Sequence, residues 1–169
     1  MTDSTPFEPR RFRDVMGRFA TGVTVITAGE GEAQRGMTAN SFTSVSLDPP
    51  LVLCCVATNA GMHPLFAAGE RFAINMLAAD QEAQSRHFAK SWAAAHPMGG
   101  FELKTGPHGA TLLDGALAHV ECTVHALFDG GDHTIVVGRV LSYDLHRSDA
   151  PPLLYFAGGY RALASTSTT

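Results

Sequence analysis

Thr38, Asn40, Ser44 and Ser46 recur at even spacing within residues 36–53, and along an extended chain alternate side chains share a face. They form a polar stripe that carries no charge and is interrupted by Phe42. Such a stripe could hold a ligand edge of uncharged donors and acceptors without burying an ion. Serine and threonine are equally at home on a solvated strand face, and composition alone leaves both readings open. Asp48-Pro49-Pro50 stops the strand, because proline lacks the ladder donor and restricts the residue before it. A short apolar run at 51–57 follows, so two strands joined by a bend are expected.

A second constellation lies near residue 120. His119, Glu121, Thr123 and His125 alternate with Ala118, Val120, Cys122, Val124 and Ala126 along a predicted strand at 117–127. Two histidines and a carboxylate on one face could ligate a metal. No fourth ligand or compact motif accompanies them, so a solvated or subunit-contact face is expected instead. Taken alone, His133 is a turn histidine with no task, and the spacing around Arg86 makes it a solvated helix residue. The three cysteines, with Cys54 and Cys55 adjacent in a predicted buried strand, form neither a disulfide framework nor a zinc pattern, which implies a reducing compartment.

The elements that must position these groups follow from periodicity. Phe12, Val15, Met16 and Phe19 fall at helical spacing among Arg10, Arg11, Arg13 and Arg18, giving an amphipathic helix over 8–19. A β-branched strand at 23–27 leads through a flexible hairpin loop at 28–32 into the polar stripe, so these two strands should pair antiparallel. Beyond the 51–57 strand, Thr58 and Asn59 are expected to cap a short helix whose apolar face is Met62, Leu65 and Phe66. Residues 71–77 return as a strand, and Asp80 is expected to cap a second short helix running to Lys90. Residues 91–109, rich in alanine, glycine and proline and without a sustained period, read as a mobile loop with at most one helical turn. A strand at 117–127, a turn at 128–132, a strand at 133–146 and a short strand at 152–157 complete the chain. Short helices among many hairpin-spaced strands imply a small closed or partly closed antiparallel barrel with peripheral helices.

With 169 residues the chain suits one domain, which at this size buries roughly 70% of its unfolded surface. A formal net charge of -4, with scattered basic residues, argues against a nucleic-acid partner. No apolar run approaches the length of a membrane span, and residues 1–13 lack the apolar core of a secretory signal, so a cytoplasmic location away from membranes is expected. No G-x-G-x-x-G or P-loop pattern occurs.

Several motifs then line up in order: T-G-V-T-V-I-T at 21–27, G-M-T-A-N-S-F-T-S-V-S-L-D-P-P-L-V at 36–52, F-A-I-N-M-L at 72–77, D-Q at 80–81, S-R-H-F-A at 85–89, G-D-H-T-I at 131–135 and L-Y-F-A-G-G-Y-R at 154–161. The series resembles the short-chain flavin reductases and covers nearly the whole chain. The first dozen residues, the loop at 91–109 and the tail at 164–169 fall outside it, and residues 1–7 and 164–169 are expected to be flexible tails. The resemblance implies a mainly β fold: an antiparallel split β-barrel of the Greek-key, FMN-binding type with a few short peripheral α-helices, as a homodimer. It implies an enzyme in which NADH or NADPH reduces FMN or FAD, with the reduced flavin passing to a separate flavin-dependent monooxygenase. The alternative on the same barrel is a flavin-binding electron carrier or a non-catalytic flavin-binding module.

By the same resemblance, His133 positions the nicotinamide. The flavin falls to Thr38, Ala39, Asn40, Ser41, Ser44, Val45, Ala57, Thr58, Asn59, Ser85, Arg86, Phe88, Tyr160 and Arg161. Within that set, Arg86 with Ser85, Thr58 and Asn59 would take the flavin phosphate. Apart from Thr58, the segment at 58–62 departs from the family by lacking the serine and threonine often found there.

Overall fold

The computed structural model describes residues 7–67, 69–90 and 98–163. Helix α1 (Pro9–Met16) precedes strands β1 (Thr21–Gly22), β2 (Thr24–Ala28), β3 (Arg35–Ala39), β4 (Thr43–Leu47), β5 (Pro50–Ala57) and β6 (Arg71–Met76). Helix α2 (Glu82–Phe88) follows, then β7 (Leu103–Thr105), β8 (Thr111–Leu113), β9 (Ala118–Gly130), β10 (His133–Leu145), β11 (Leu154–Phe156) and β12 (Gly159–Arg161). Among the described residues no helix is long and apolar enough to cross a membrane.

Seven strands form one antiparallel sheet in the order β3-β2-β6-β9-β10-β5-β4. Its two edge strands, β3 and β4, are consecutive in the chain and separated only by residues 40–42. A link of that length spans at most about 14 Å. The sheet must therefore curl until its edges nearly meet, which gives a barrel with one slit. Register shifts in the β9–β10 pairing, between Val137 and Gly138 and between Val140 and Ser142, add the local twist that such curling needs. The expected β2–β3 pairing is present, with Thr24 opposite Ala39.

Every residue of β2 is buried because the strand has core on both faces. Ile26 and Ala28 join Val52, Val56, Phe72, Ile74, Val120 and Val136 inside the barrel. Val25, with the neighbouring Val23, packs outward with Leu77, Phe88, Leu113 and Leu153, under α2 and the 111–117 region.

Two capping expectations fail for one physical reason: the polar side chain finds a distant partner. Thr58 does not cap a helix; its N–H and hydroxyl both donate to the Asp132 carbonyl, at 3.0 and 3.2 Å. The apolar residues beyond it form only a 3₁₀ turn, His63–Leu65. Asp80 does not cap α2 either. Both its carboxylate oxygens accept from the Arg147 guanidinium, at 3.0 and 2.9 Å, and this holds its carboxyl below the usual range. The first helix stops at Met16, three residues short of the expected end, and the 28–32 loop contains a 3₁₀ turn at Gly31–Ala33. The turn expected at 128–132 is shorter, because β9 runs on to Gly130.

Within the expected loop at 91–109, residues 91–97 lie outside the described residues, but β7 pairs with β8 as a hairpin. Beside that hairpin the His119 and Glu121 face is covered rather than solvated, with exposures of 5% and 2%. Glu121 accepts from the backbone N–H groups of His108 and Ala110 and from the Ser142 hydroxyl. The His119 Nε2–H donates to the Leu113 carbonyl at 2.8 Å, so its Nδ1 accepts from His146 Nε2 at 2.6 Å.

Burial is the largest influence holding His119 below the ordinary histidine value of 6.5; the Leu113 carbonyl and Asp114 oppose it, while His146 and Lys104 add to it. The unfolded chain therefore takes up this proton first. His119 contributes stability that is present above pH 6.5 and lost as pH falls below that value. In melting experiments across this range, His119→Gln should flatten the acid limb relative to the unchanged chain. An acid limb of the same slope in both would contradict the assignment.

Candidate functional site

A cleft of about 600 Å³ opens where β3 leaves the sheet for β4. One wall is Thr38, Ala39, Asn40 and Ser41; another is Cys55 and Ala57 of β5, with Asn59, Ala60 and Gly61 beyond it. His133, the first residue of β10, and Phe88, Ala89 and Lys90 at the end of α2 complete it. This volume lies within the roughly 300–1,000 Å³ typical of small-molecule sites.

Short-range bonds fix the polar wall. The Ser41 hydroxyl accepts from the Cys55 N–H at 3.0 Å, which pins the bend at 40–42 to β5. The Thr38 hydroxyl donates to the Ser85 carbonyl at 2.6 Å and ties β3 to α2. A Cβ on Gly36 would sit 2.6 Å from the Phe88 ring, so the ring can approach β3 this closely only because that residue is glycine. Phe88 is 2% exposed and thus both core residue and cleft wall.

His133 is oriented by its neighbour. Its Nδ1 donates to Asp132 Oδ1 at 2.6 Å, and this bond is the main cause of the depressed Asp132 carboxyl. Nε2 is left as the ring's open nitrogen, an acceptor in the neutral ring and a donor when protonated. The bonds from Thr58 to the Asp132 carbonyl fasten this turn to the end of β5.

The structure thus gathers Thr38, Ala39, Asn40, Ser41, Ala57, Asn59, Phe88 and His133 around one cleft. It does not bring the remaining sequence-predicted residues into that lining. Ser44 and Val45 are exposed on β4, so the stripe read as one face is divided between opposite edges of the sheet. Ser85 is buried behind the wall, with its hydroxyl 2.7 Å from that of Tyr160. Arg86 bonds Glu82 Oε1 through Nε at 2.6 Å and stacks 4.8 Å from the Tyr160 ring centroid. Arg161 is exposed and donates to the Tyr160 carbonyl. Sequence reasoning missed Met37, Cys55, Ala60, Gly61, Ala89 and Lys90. The available signal for Lys90 was its place directly after the S-R-H-F-A motif.

Neutral donors and acceptors, apolar walls and a single histidine suit a planar heteroaromatic ligand with an uncharged polar edge. Among the described residues no aspartate or glutamate lines the cleft to repel an anionic group. The lining therefore fits a flavin.

Comparison with known proteins agrees with this geometry. A family model described as "Flavin reductase like domain" matches residues 16–164. The chain is 46% identical over 160 residues to an NADH-dependent FAD reductase of Streptomyces globisporus, covering 91% of this chain and 85% of the relative. It is 44% identical over 152 residues to the reductase component of 4-hydroxyphenylacetate 3-monooxygenase from Thermus thermophilus, covering 90% and 95%. Among solved structures, an NADH:FAD oxidoreductase of S. globisporus in complex with NAD and FAD fragments superposes with a TM-score of 0.86 at 42% identity, covering 97% of this chain and 99% of that one.

Proposed function

The chain belongs to the flavin reductase like domain family, and from that premise we propose that it is an NAD(P)H:flavin oxidoreductase acting in the cleft beside His133. It reduces FMN or FAD and supplies the reduced flavin to a separate monooxygenase component. The observation that carries the site assignment is the juxtaposition of the uncharged wall at Thr38, Asn40 and Ser41 with a histidine held by Asp132.

When bound, the nicotinamide and the flavin would between them supply the redox chemistry, a hydride given by the one and accepted by the other. The protein's task is to hold the reacting rings in register and limit water access. Thr38, Asn40, Ser41 and Asn59 offer neutral hydrogen bonds to a flavin edge, and Phe88 and Ala57 offer apolar surface. His133, with its Nδ1–H committed to Asp132, would present Nε2 toward the nicotinamide. Ser85 and Tyr160 support the wall from behind through the Thr38 and α2 contacts. A charged catalytic triad is not required by this chemistry.

The same reading makes the protein a homodimer. Its support is the unburied apolar face of α1 and its flanks, where Phe12, Val15, Met16 and Phe19 are 52%, 61%, 54% and 74% exposed. A cytoplasmic location accords with the free thiols of Cys54, Cys55 and Cys122.

Steady-state oxidation of NADH and NADPH, with and without added FMN, FAD and riboflavin, tests the activity. Oxidation that depends on flavin supports it. Absence of flavin-dependent oxidation with either dinucleotide overturns it.

A further inference from the structure

We propose that Lys90 is the residue that recognises a ligand phosphate in the cleft. The proposal rests on the flavin reductase reading and goes beyond it by assigning the charge that the neutral wall lacks.

Of the 12 lysines and arginines, all of which lie among the described residues, Lys90 alone lines the cleft. Its ammonium has no hydrogen-bond or ion-pair partner among the described residues, and no carboxylate shares the lining with it. Arg86, one helical turn earlier, is the competing cation. Its guanidinium is engaged on two sides, by Glu82 Oε1 at 2.6 Å and by the Tyr160 ring at 4.8 Å. Glu82 and Arg86 stand four apart on α2 and form an ion pair, and Arg86 is not among the residues that line the cleft. Lys90 lies just beyond the end of α2 and next to Phe88 and Ala89, which are themselves cleft wall. A compact ammonium on a flexible stem suits a phosphate that approaches from the open side.

The plain alternative is that Lys90 only offsets the partial negative charge at the end of α2. That role would affect all ligands alike, whereas phosphate recognition would not. Both FMN and NADH carry phosphate, and riboflavin does not, so three titrations separate the possibilities. Binding is read from the quenching of flavin fluorescence for FMN and riboflavin, and from the change in dinucleotide fluorescence for NADH.

Lys90→Gln should weaken one phosphate-bearing ligand by about tenfold while leaving riboflavin within about twofold, and Lys90→Arg should restore most of the loss. Loss confined to FMN assigns the flavin phosphate; loss confined to NADH assigns the dinucleotide. Equal loss for FMN and riboflavin, or no loss in any titration, overturns the proposal. A wild-type chain that binds these ligands without oxidising NADH would overturn the reductase reading alone, because the titrations do not depend on turnover.

Discussion

Replacing Asn75 with alanine is expected to lower the unfolding free energy by about 3 kcal/mol. Asn75 is fully buried, and each half of its amide is used. Nδ2 donates to the Val25 carbonyl at 2.8 Å and to the Thr27 hydroxyl at 3.2 Å, while Oδ1 accepts the Leu113 N–H at 2.7 Å. One side chain on β6 thereby fastens β2 and β8, joining the barrel to the hairpin packed beside it. Alanine leaves the Leu113 N–H without its acceptor, a loss of roughly 1–3 kcal/mol by itself, and adds a small void. Asn75→Asp keeps an acceptor for Leu113 but sets a carboxyl oxygen against the Val25 carbonyl, so it should fare no better. Denaturant unfolding measures the loss, and a change under about 1 kcal/mol would mean that these bonds do not anchor the hairpin. Because Asn75 does not line the cleft, its variants should bind flavin normally at temperatures where they remain folded.

His133→Ala should have the second large effect, and on function rather than stability. The side chain is 44% exposed, and its one hydrogen bond is to Asp132, itself 93% exposed, so little packing is lost. If Nε2 contacts the nicotinamide carboxamide, removing it should raise the NADH Michaelis constant or slow flavin reduction by roughly tenfold, as expected for one hydrogen bond in a partly enclosed site. Flavin affinity should change by less than about twofold, a small effect on the scale of one lost hydrogen bond. Asp132→Asn should show a smaller loss in the same direction, because the ring remains but its orientation is held less firmly. Unchanged kinetics in His133→Ala would remove the histidine from the site.

The strands of the barrel were legible where alternation or β-branching was continuous, as at 23–27, 51–57 and 117–127. The slit was not. Polar residues recur at 38, 40, 44 and 46, and the lone Phe42 between them does not announce a bend that sends the chain from one sheet edge to the other. Periodicity reports which face a residue takes within a strand and says nothing of which strand it will pair with. The capping expectations at Thr58 and Asp80 failed because partners 74 and 67 residues away, a backbone carbonyl and a guanidinium, outweighed local ones. His119 and Glu121 looked solvated because the three-residue strands that help cover their face are too short to leave a period.

The site divides in a similar way. The neutral wall at 38–41, Phe88 and His133 was reached through ordered motifs, and the fold brings these residues to one cleft. Lys90 was passed over because it ends a helix and begins an irregular stretch, where a charge is ordinarily solvated. Arg86 drew attention by motif, and the Glu82 and Tyr160 contacts that engage it depend on α2 and on β12, which no local pattern links.

The most direct test of hydride transfer in this cleft is anaerobic mixing of the protein with oxidised FMN or FAD and NADH while the visible flavin band is followed. The account predicts that the band bleaches with the wild-type chain, and that bleaching is slower or needs more NADH with His133→Ala at the same bound flavin. A band that persists with either flavin in the wild-type protein, or that bleaches identically in both proteins across the NADH range, would contradict it.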